Sequence, residues 1–457
     1  SRQWSVEDGI MAHVSVPHRV RRIQISALVL LVTAGTLNYV DRATLSIANP
    51  LIRHDLGLSI ADMGLLLSAF LWAYAFCQLP GGALTDRIGP RRLLGIGLLV
   101  WSLAQGLAGT VGSFWQFVIA RVFLGAGEAP MFSGAARVVR DWWNVRDRAL
   151  PTGIWNCSSS LGPTIAPPLL TVLMLTLGWR WMFILMGVFG ILVAIAWFGI
   201  YREVEEVELS GEEAHHLTEG EEERPPDQHV TLAEWGRLFR FRVTWGLILG
   251  FFGIVYMVWL FQAWLPGYLE MQRHMSIRAT GFVAAIPYAC GVVGSIGAGW
   301  ITDKLMAGGF SPINSRKLPI IVGLVGMAVS TFIAAETPSN VMAVAAISAA
   351  VFFAGGASGM SWALASVAAP AHCTASLGSI QNFGGYLGGA LAPTVTGFIV
   401  QATGTFVPAL LVGAAIALAS AVAYLIVIPN RPISSAALGV VATDAPEIRP
   451  TGAPRAR

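Results

Sequence analysis

The sequence predicts an all-α polytopic membrane protein, with twelve transmembrane helices in two six-helix halves. Three observations predict this class. Charged residues make up 12% of the 457 and hydrophobic residues 55%, whereas a soluble domain carries about 25% charged residues; the mean hydropathy is +0.64. Apolar windows near the roughly 20 residues needed to span a bilayer recur along nearly the whole chain. A short polar motif also recurs at equivalent places in the two halves. The 50 glycines and 24 prolines are compatible with this class, because membrane helices tolerate both and small residues let helices approach closely.

In order, the first six apolar segments cover about 23–46, 62–84, 92–111, 114–138, 149–175 and 180–200. The second six cover about 243–269, 279–304, 317–336, 341–367, 376–401 and 405–428. Gly82-Ala83-Leu84-Thr85-Asp86-Arg87 ends the second segment, and Gly299-Trp300-Ile301-Thr302-Asp303-Lys304 ends the eighth. Both read G-x-x-x-D-[RK], which points to two related halves, an architecture that transporters use with a midplane site at the repeat interface. The organisation expected is an N-terminal tail at 1–20, a first half at 21–202, a linker at 203–240, a second half at 241–430 and a disordered tail at 431–457. The linker carries the acidic run Glu203-Val204-Glu205-Glu206-Val207-Glu208 and reads as a solvated connection with one short helix at most.

Lys and Arg set the orientation. Of the 29, only Arg53, Arg180, Arg273 and Arg278 fall outside when the N-terminus, linker and C-terminus are placed inside, and only Arg42 and Arg121 lie within the membrane. Both termini are therefore expected in the cytoplasm of a cell whose plasma membrane, a bacterial inner membrane, holds the chain. The first twenty residues lack an apolar core and a cleavage site, so they do not read as a signal peptide. The chain opens at Ser1 and reaches Met11, which suggests truncation or an alternative start. The four cysteines show no CxxC spacing and read as reduced structural thiols, not a zinc site. No phosphate-cradling loop, metal cluster or nucleophile elbow is present in the sequence, and neither enzyme chemistry nor a nucleic acid partner is expected.

The chemistry concentrates in buried charge. A charged side chain at mid-membrane costs at least about 2.5–3.5 kcal/mol and by default marks a site. Asp41 and Arg42 are adjacent, so their side chains leave the helix about 100° apart and look to different partners. Arg121 and Glu128 are seven apart, two turns on one face, and can line one cavity. A static ion pair bracing helices is the alternative reading, most serious for Arg121. The histidines all fall in tails, loops or segment ends, so proton coupling would rest on carboxylates.

These residues also carry a resemblance. Gly81-Gly82-Ala83-Leu84-Thr85-Asp86-Arg87-Ile88-Gly89-Pro90-Arg91-Arg92 resembles the loop signature of the major facilitator superfamily. Asn38-Tyr39-Val40-Asp41-Arg42-Ala43-Thr44-Leu45-Ser46, Phe70-Leu71-Trp72-Ala73-Tyr74, Cys77-Gln78-Leu79-Pro80-Gly81-Gly82 and Gly127-Glu128-Ala129-Pro130 narrow it. Together they resemble the anion:cation symporter family, which includes bacterial galactonate, glucarate and hexuronate transporters and is related to animal sialic acid and vesicular glutamate carriers. The resemblance implies the major facilitator fold, a monomer, and a proton-coupled symporter for a small organic anion, with protons as the coupling ion and no cofactor or metal. It implies that Arg42 binds the substrate anion, Glu128 couples protonation to substrate binding, and Arg121 interacts with Asp41. Burial favours the neutral form of a carboxyl, which suits Asp41 to proton carriage.

Tyr39, Tyr74, Trp362 and Asn382 match positions that bind substrate in sugar-acid transporters, and Gln381 and Asn382 lie amid glycines where a polar side chain should face a cavity or another helix. The pattern departs at Asn156 and Ser159, where aldonate transporters carry a glutamine at the latter, at Gln262 among Trp259, Phe261 and Trp264, and at Ser361 beside Gly359. These changes line the expected site, so a hexonate, hexarate or hexuronate all stay open, as does an aromatic or dicarboxylic acid. A non-transporting sensor is the reading from a different class. Asp86, Arg87 and Arg92, with Asp303 in the second half, are expected to latch one conformation through charge contacts.

Overall fold

The computed structural model describes residues 17–144, 147–218, 232–368 and 373–433. Among them the regular elements are all helical. Up to the linker these are α1 (His18–Leu56), α2 (Ile60–Ile88), α3 (Pro90–Ala108), α4 (Phe114–Glu128), α5 (Met131–Trp142), α6 (Ala149–Asn156), α7 (Ser158–Leu177) and α8 (Trp179–Ile200). The linker holds α9 (Gly211–Thr218) and α10 (Leu232–Leu238). The remainder are α11 (Arg242–Met271), α12 (Ile277–Val283), α13 (Ala285–Ala307), α14 (Pro312–Glu336), α15 (Asn340–Ala368), α16 (Thr374–Thr403) and α17 (Val407–Val422).

Local chemistry sets the helix ends. Gly57 closes α1 in the left-handed region at φ 64°, its N–H donating to the Arg53 carbonyl. Ser59 and Asp62 form a reciprocal capping box that opens α2. Ten helices among the described residues are long and apolar enough to cross a membrane. The other two expected segments are present in a different form. Arg91 and Arg92 open α3 and dilute its hydropathy, and the fourth segment is split between α4 and α5 at Ala129-Pro130. The fifth segment is also broken, between α6 and α7 at Cys157.

The chain folds into two compact units, one from residues up to Arg224 with Ser276–Ala285, the other from Pro225–Met275 with the residues from Ile286 onward. In the first unit α1 packs on α7, α3 on α8 and α4, and α2 on α4. In the second α11 packs on α16, and α14 on α17 and α15. Counted by segment, first with fifth answers to seventh with eleventh, third with sixth to ninth with twelfth, and third with fourth to ninth with tenth. The repeat read from one short motif thus extends to the helix pairing of each unit.

Two crossings in the first unit need glycine. A Cβ on Gly125 of α4 would lie 2.4 Å from the Phe70 carbonyl oxygen of α2, and one on Gly162 of α7 would lie 2.3 Å from Cβ of Tyr39 on α1. Both crossings therefore bring backbones together beside residues of the site.

The described part of the linker makes packing contacts. Glu213 and His216 of α9 are buried, and Arg19 donates from Nη1 to the Glu208 carbonyl at 2.9 Å.

Candidate functional site

Four ionisable side chains from α1 and α4 converge inside the first unit, and their formal charges cancel. Asp41 and Glu128 are 0% exposed, Arg121 2% and Arg42 6%. The Arg42 guanidinium donates from Nε to Glu128 Oε2 at 2.8 Å. This is the one hydrogen-bonded ion pair among the four in the described residues. Asp41 keeps Arg121 and Glu128 as its charged neighbours, yet neither of its carboxyl oxygens has a hydrogen-bond partner among the described residues. Arg121 likewise has no partner there for its buried Nε and Nη1. Asp41 and Arg42, adjacent on α1, thus share Glu128 as a charged neighbour, but only Arg42 hydrogen-bonds to it.

Aromatic rings frame the pair. The Arg42 guanidinium lies 4.8 Å from the Tyr39 ring centroid, 4.8 Å from Tyr74 and 5.2 Å from Phe70. Arg121 lies 4.9 Å from the same Phe70 ring. Phe70 and Tyr74 stand one turn apart on α2, with centroids 5.9 Å apart. The Asn38 amide, one turn before Arg42, is wholly buried, and neither of its atoms has a hydrogen-bond partner among the described residues. Phe70 and Asn38 are the residues that sequence reasoning left without a role. The signal for Phe70 was its i, i+4 spacing from Tyr74, which puts both rings on one face.

Two further expectations in this unit make no hydrogen bond to the charged cluster among the described residues. Asn156 is exposed at the end of α6, and Ser159 is half-buried, its Oγ donating back to the Asn156 carbonyl at 2.7 Å.

The substrate-site residues expected in the second unit are neutral polar or aromatic groups. Gln381 is fully buried, with neither amide atom hydrogen-bonded among the described residues. Asn382 and Gln262 are half-buried. Trp362 is 45% exposed and stands edge-on to Phe251 at 5.8 Å. The Ser361 hydroxyl is committed to the Tyr424 hydroxyl, and both are wholly buried. That bond ties α15 to the π-helical turn Ala423–Val427 that follows α17 and leaves Ser361 a packing role within this unit.

Near the helix ends that carry the repeated motif, Arg87, Arg92 and Asp303 are exposed and make no ion pair among the described residues; the Asp86 side chain lies outside those described. The neighbouring Arg91 carries the contacts instead. Its backbone N–H donates to Glu203 at 2.9 Å, and its guanidinium donates to Glu206 at 2.7 Å and the Phe198 carbonyl at 2.8 Å.

Comparison with known proteins follows the same lines. The family model described as the Major Facilitator Superfamily matches residues 31–393. A probable L-galactonate transporter of Escherichia coli strain K12 is 44% identical over 416 residues, 91% of each chain. A D-galactonate transporter of Escherichia coli O6:H1 is 32% identical over 414 residues, 88% of this chain and 94% of the relative. In fold, the chain is similar to a bacterial homologue of the human lysosomal transporter Spinster, solved inward-facing and unoccupied. The TM-score is 0.72 at 20% identity, over 89% of this chain and 95% of that one.

Proposed function

The chain belongs to the Major Facilitator Superfamily, and on that ground we propose that it is a proton-coupled symporter importing a sugar acid by alternating access. A hexonate such as galactonate is the substrate tested first, because that is what the two galactonate relatives are named for. The basic residues support cytoplasmic termini in a bacterial inner membrane, and the protein acts as a monomer.

The observation that carries the reading is the Arg42–Glu128 pair in its aromatic frame. Arg42 is a planar fork that suits a carboxylate, and Glu128 already occupies it. A substrate carboxylate must therefore compete with the Glu128 carboxylate for the same guanidinium. Protonation of Glu128 removes its claim, and the arriving anion restores the charge balance. Proton and substrate thus favour the same state, which is the condition for coupling. Asp41 is the second proton carrier, with Arg121 as its neighbouring cation. Tyr39 and Tyr74 steer the anion onto Arg42. Gln262, Gln381 and Asn382 supply neutral donors and acceptors for hydroxyls, with the Trp362 face against the carbon chain. Asn156 and Ser159 tune which sugar acid is accepted.

Proteoliposome uptake tests this. The parent chain should accumulate labelled L-galactonate against its gradient when the outside is acidic. Asp41→Asn should lose accumulation while retaining exchange, and full accumulation in that variant would sink the proposed role. Competition by hexarates, hexuronates and aromatic acids ranks the substrate classes.

A further inference from the structure

Phe70 is wholly buried on α2, and two guanidinium groups from two other helices converge on its ring, Arg42 at 5.2 Å and Arg121 at 4.9 Å. Like charges brought to one place in a low-dielectric interior repel strongly. Glu128 offsets this only while it is ionised. An aromatic face attracts a cation through its quadrupole while carrying no charge of its own. Arg121 makes the point sharpest. It makes no ion pair among the described residues, its buried Nε and Nη1 have no hydrogen-bond partner there, and it rests on this ring.

We propose that Phe70 is a positioning residue of the transport site, its ring holding Arg121 off Asp41 and Glu128 and keeping Arg42 in place when Glu128 lets go of it. The second clause rests on the reading that Arg42 takes the substrate carboxylate. Without the ring, Arg121 has two buried carboxyls to turn to, Asp41 and Glu128. Pairing with either would stabilise the ionised form and resist proton uptake. Arg42, released by a protonated Glu128, would lose one wall of its frame and meet the substrate less well oriented. The titratable and charged groups around the ring are Tyr39, Asp41 and Arg42 of α1, Tyr74 of α2, and Arg121 and Glu128 of α4.

The test uses the full chain and replaces Phe70 with singly, doubly and triply fluorinated phenylalanine, which weakens the ring quadrupole with little change in shape. Phe70→Leu completes the series. Proton uptake is read from the carboxyl infrared band of the purified protein, assigned with Asp41→Asn and Glu128→Gln, and needs no substrate. The band should appear at progressively lower pH along the series, by on the order of one pH unit in Phe70→Leu. In proteoliposomes the KM for L-galactonate should rise roughly tenfold with a smaller change in kcat. A band that titrates identically across the fluorinated series would overturn the proposal, whatever uptake does. Arg42→Ala separates the two readings. If it leaves the KM for L-galactonate unchanged while the band still moves, carboxylate docking on Arg42 fails and the hold on Arg121 stands. If it abolishes uptake while the band is unmoved, only the role of Phe70 fails.

Discussion

The two units pair their helices in the same pattern, yet they are chemically unlike. In the first, α1 and α4 place Asp41, Arg42, Arg121 and Glu128 in the interior. In the second, α15, the counterpart of α4, contains no Asp, Glu, Lys or Arg. The unit's buried polar groups include the Gln381 amide and the hydroxyls of Ser361, Tyr424, Tyr256 and Thr396, and its buried Lys317 donates to the Leu425 and Ile428 carbonyls, with no ion pair among the described residues. A repeated scaffold therefore carries a cluster of four buried charges in one unit and mostly neutral buried polar groups in the other. Charges titrate and exchange partners, whereas amides and hydroxyls read the shape of a ligand without responding to protons. On the proposed function, proton coupling belongs to the first unit, and the second contributes neutral groups to discrimination among sugar acids alongside Asn156 and Ser159 of the first.

The largest effect should come from breaking the buried pair. Arg42→Ala leaves a carboxylate uncompensated and should destabilise by about 3–5 kcal/mol, as single removals from buried pairs do. Adding Glu128→Gln should recover most of the thermal stability in detergent without restoring uptake. A double variant no more stable than the single one would show that the pair is not where the first unit keeps its balance of charge.

Next in size is the α2–α4 crossing. Gly125→Ala places a methyl group 2.4 Å from the Phe70 carbonyl, and overpacking of this kind costs about 1–3 kcal/mol. Stability should fall and uptake with it, because the same backbone carries Phe70 and Tyr74. A neutral result in thermal unfolding and uptake would mean that the crossing is looser than the geometry implies.

In the second unit, Gln381→Leu removes an amide that has no hydrogen-bond partner among the described residues. A buried amide left unbonded costs about 1–3 kcal/mol, so stability should hold or rise. The KM for a hexonate should also rise, with the pH dependence of uptake unchanged. A shifted pH dependence would break the division of labour between the units.

Arg91→Ala should do least. Its bond to Glu206 is partly exposed, with side chains 23% and 34% accessible, and such pairs contribute about 0–1 kcal/mol. A small fall in melting temperature, with uptake retained, is expected.

Much of the fold was legible because membrane segments declare themselves by composition, and the buried charges because hydrocarbon makes them costly. Helix periodicity placed Arg121 and Glu128 on one face and separated Asp41 from Arg42. Periodicity specifies faces, however, and not which faces meet. The partner of Glu128 is Arg42, 86 residues away, and only the α1–α4 arrangement reveals it. The same limit hid the convergence of two guanidiniums on Phe70, the bond from Ser361 to Tyr424, and the contacts made by Arg91 next to Arg92. Breaks at Ala129-Pro130 and Cys157 escaped an apolar count, since neither interrupts hydrophobicity.

The measurement that bears most directly on the exchange of partners at Arg42 is ligand stabilisation against pH. A ligand that binds the folded state raises its melting temperature by mass action. For the parent chain, stabilisation by L-galactonate should fade as pH rises, because an ionised Glu128 holds Arg42. For Glu128→Gln it should stay level over the same range. An identical pH dependence in the two proteins would contradict competition between Glu128 and the substrate for Arg42.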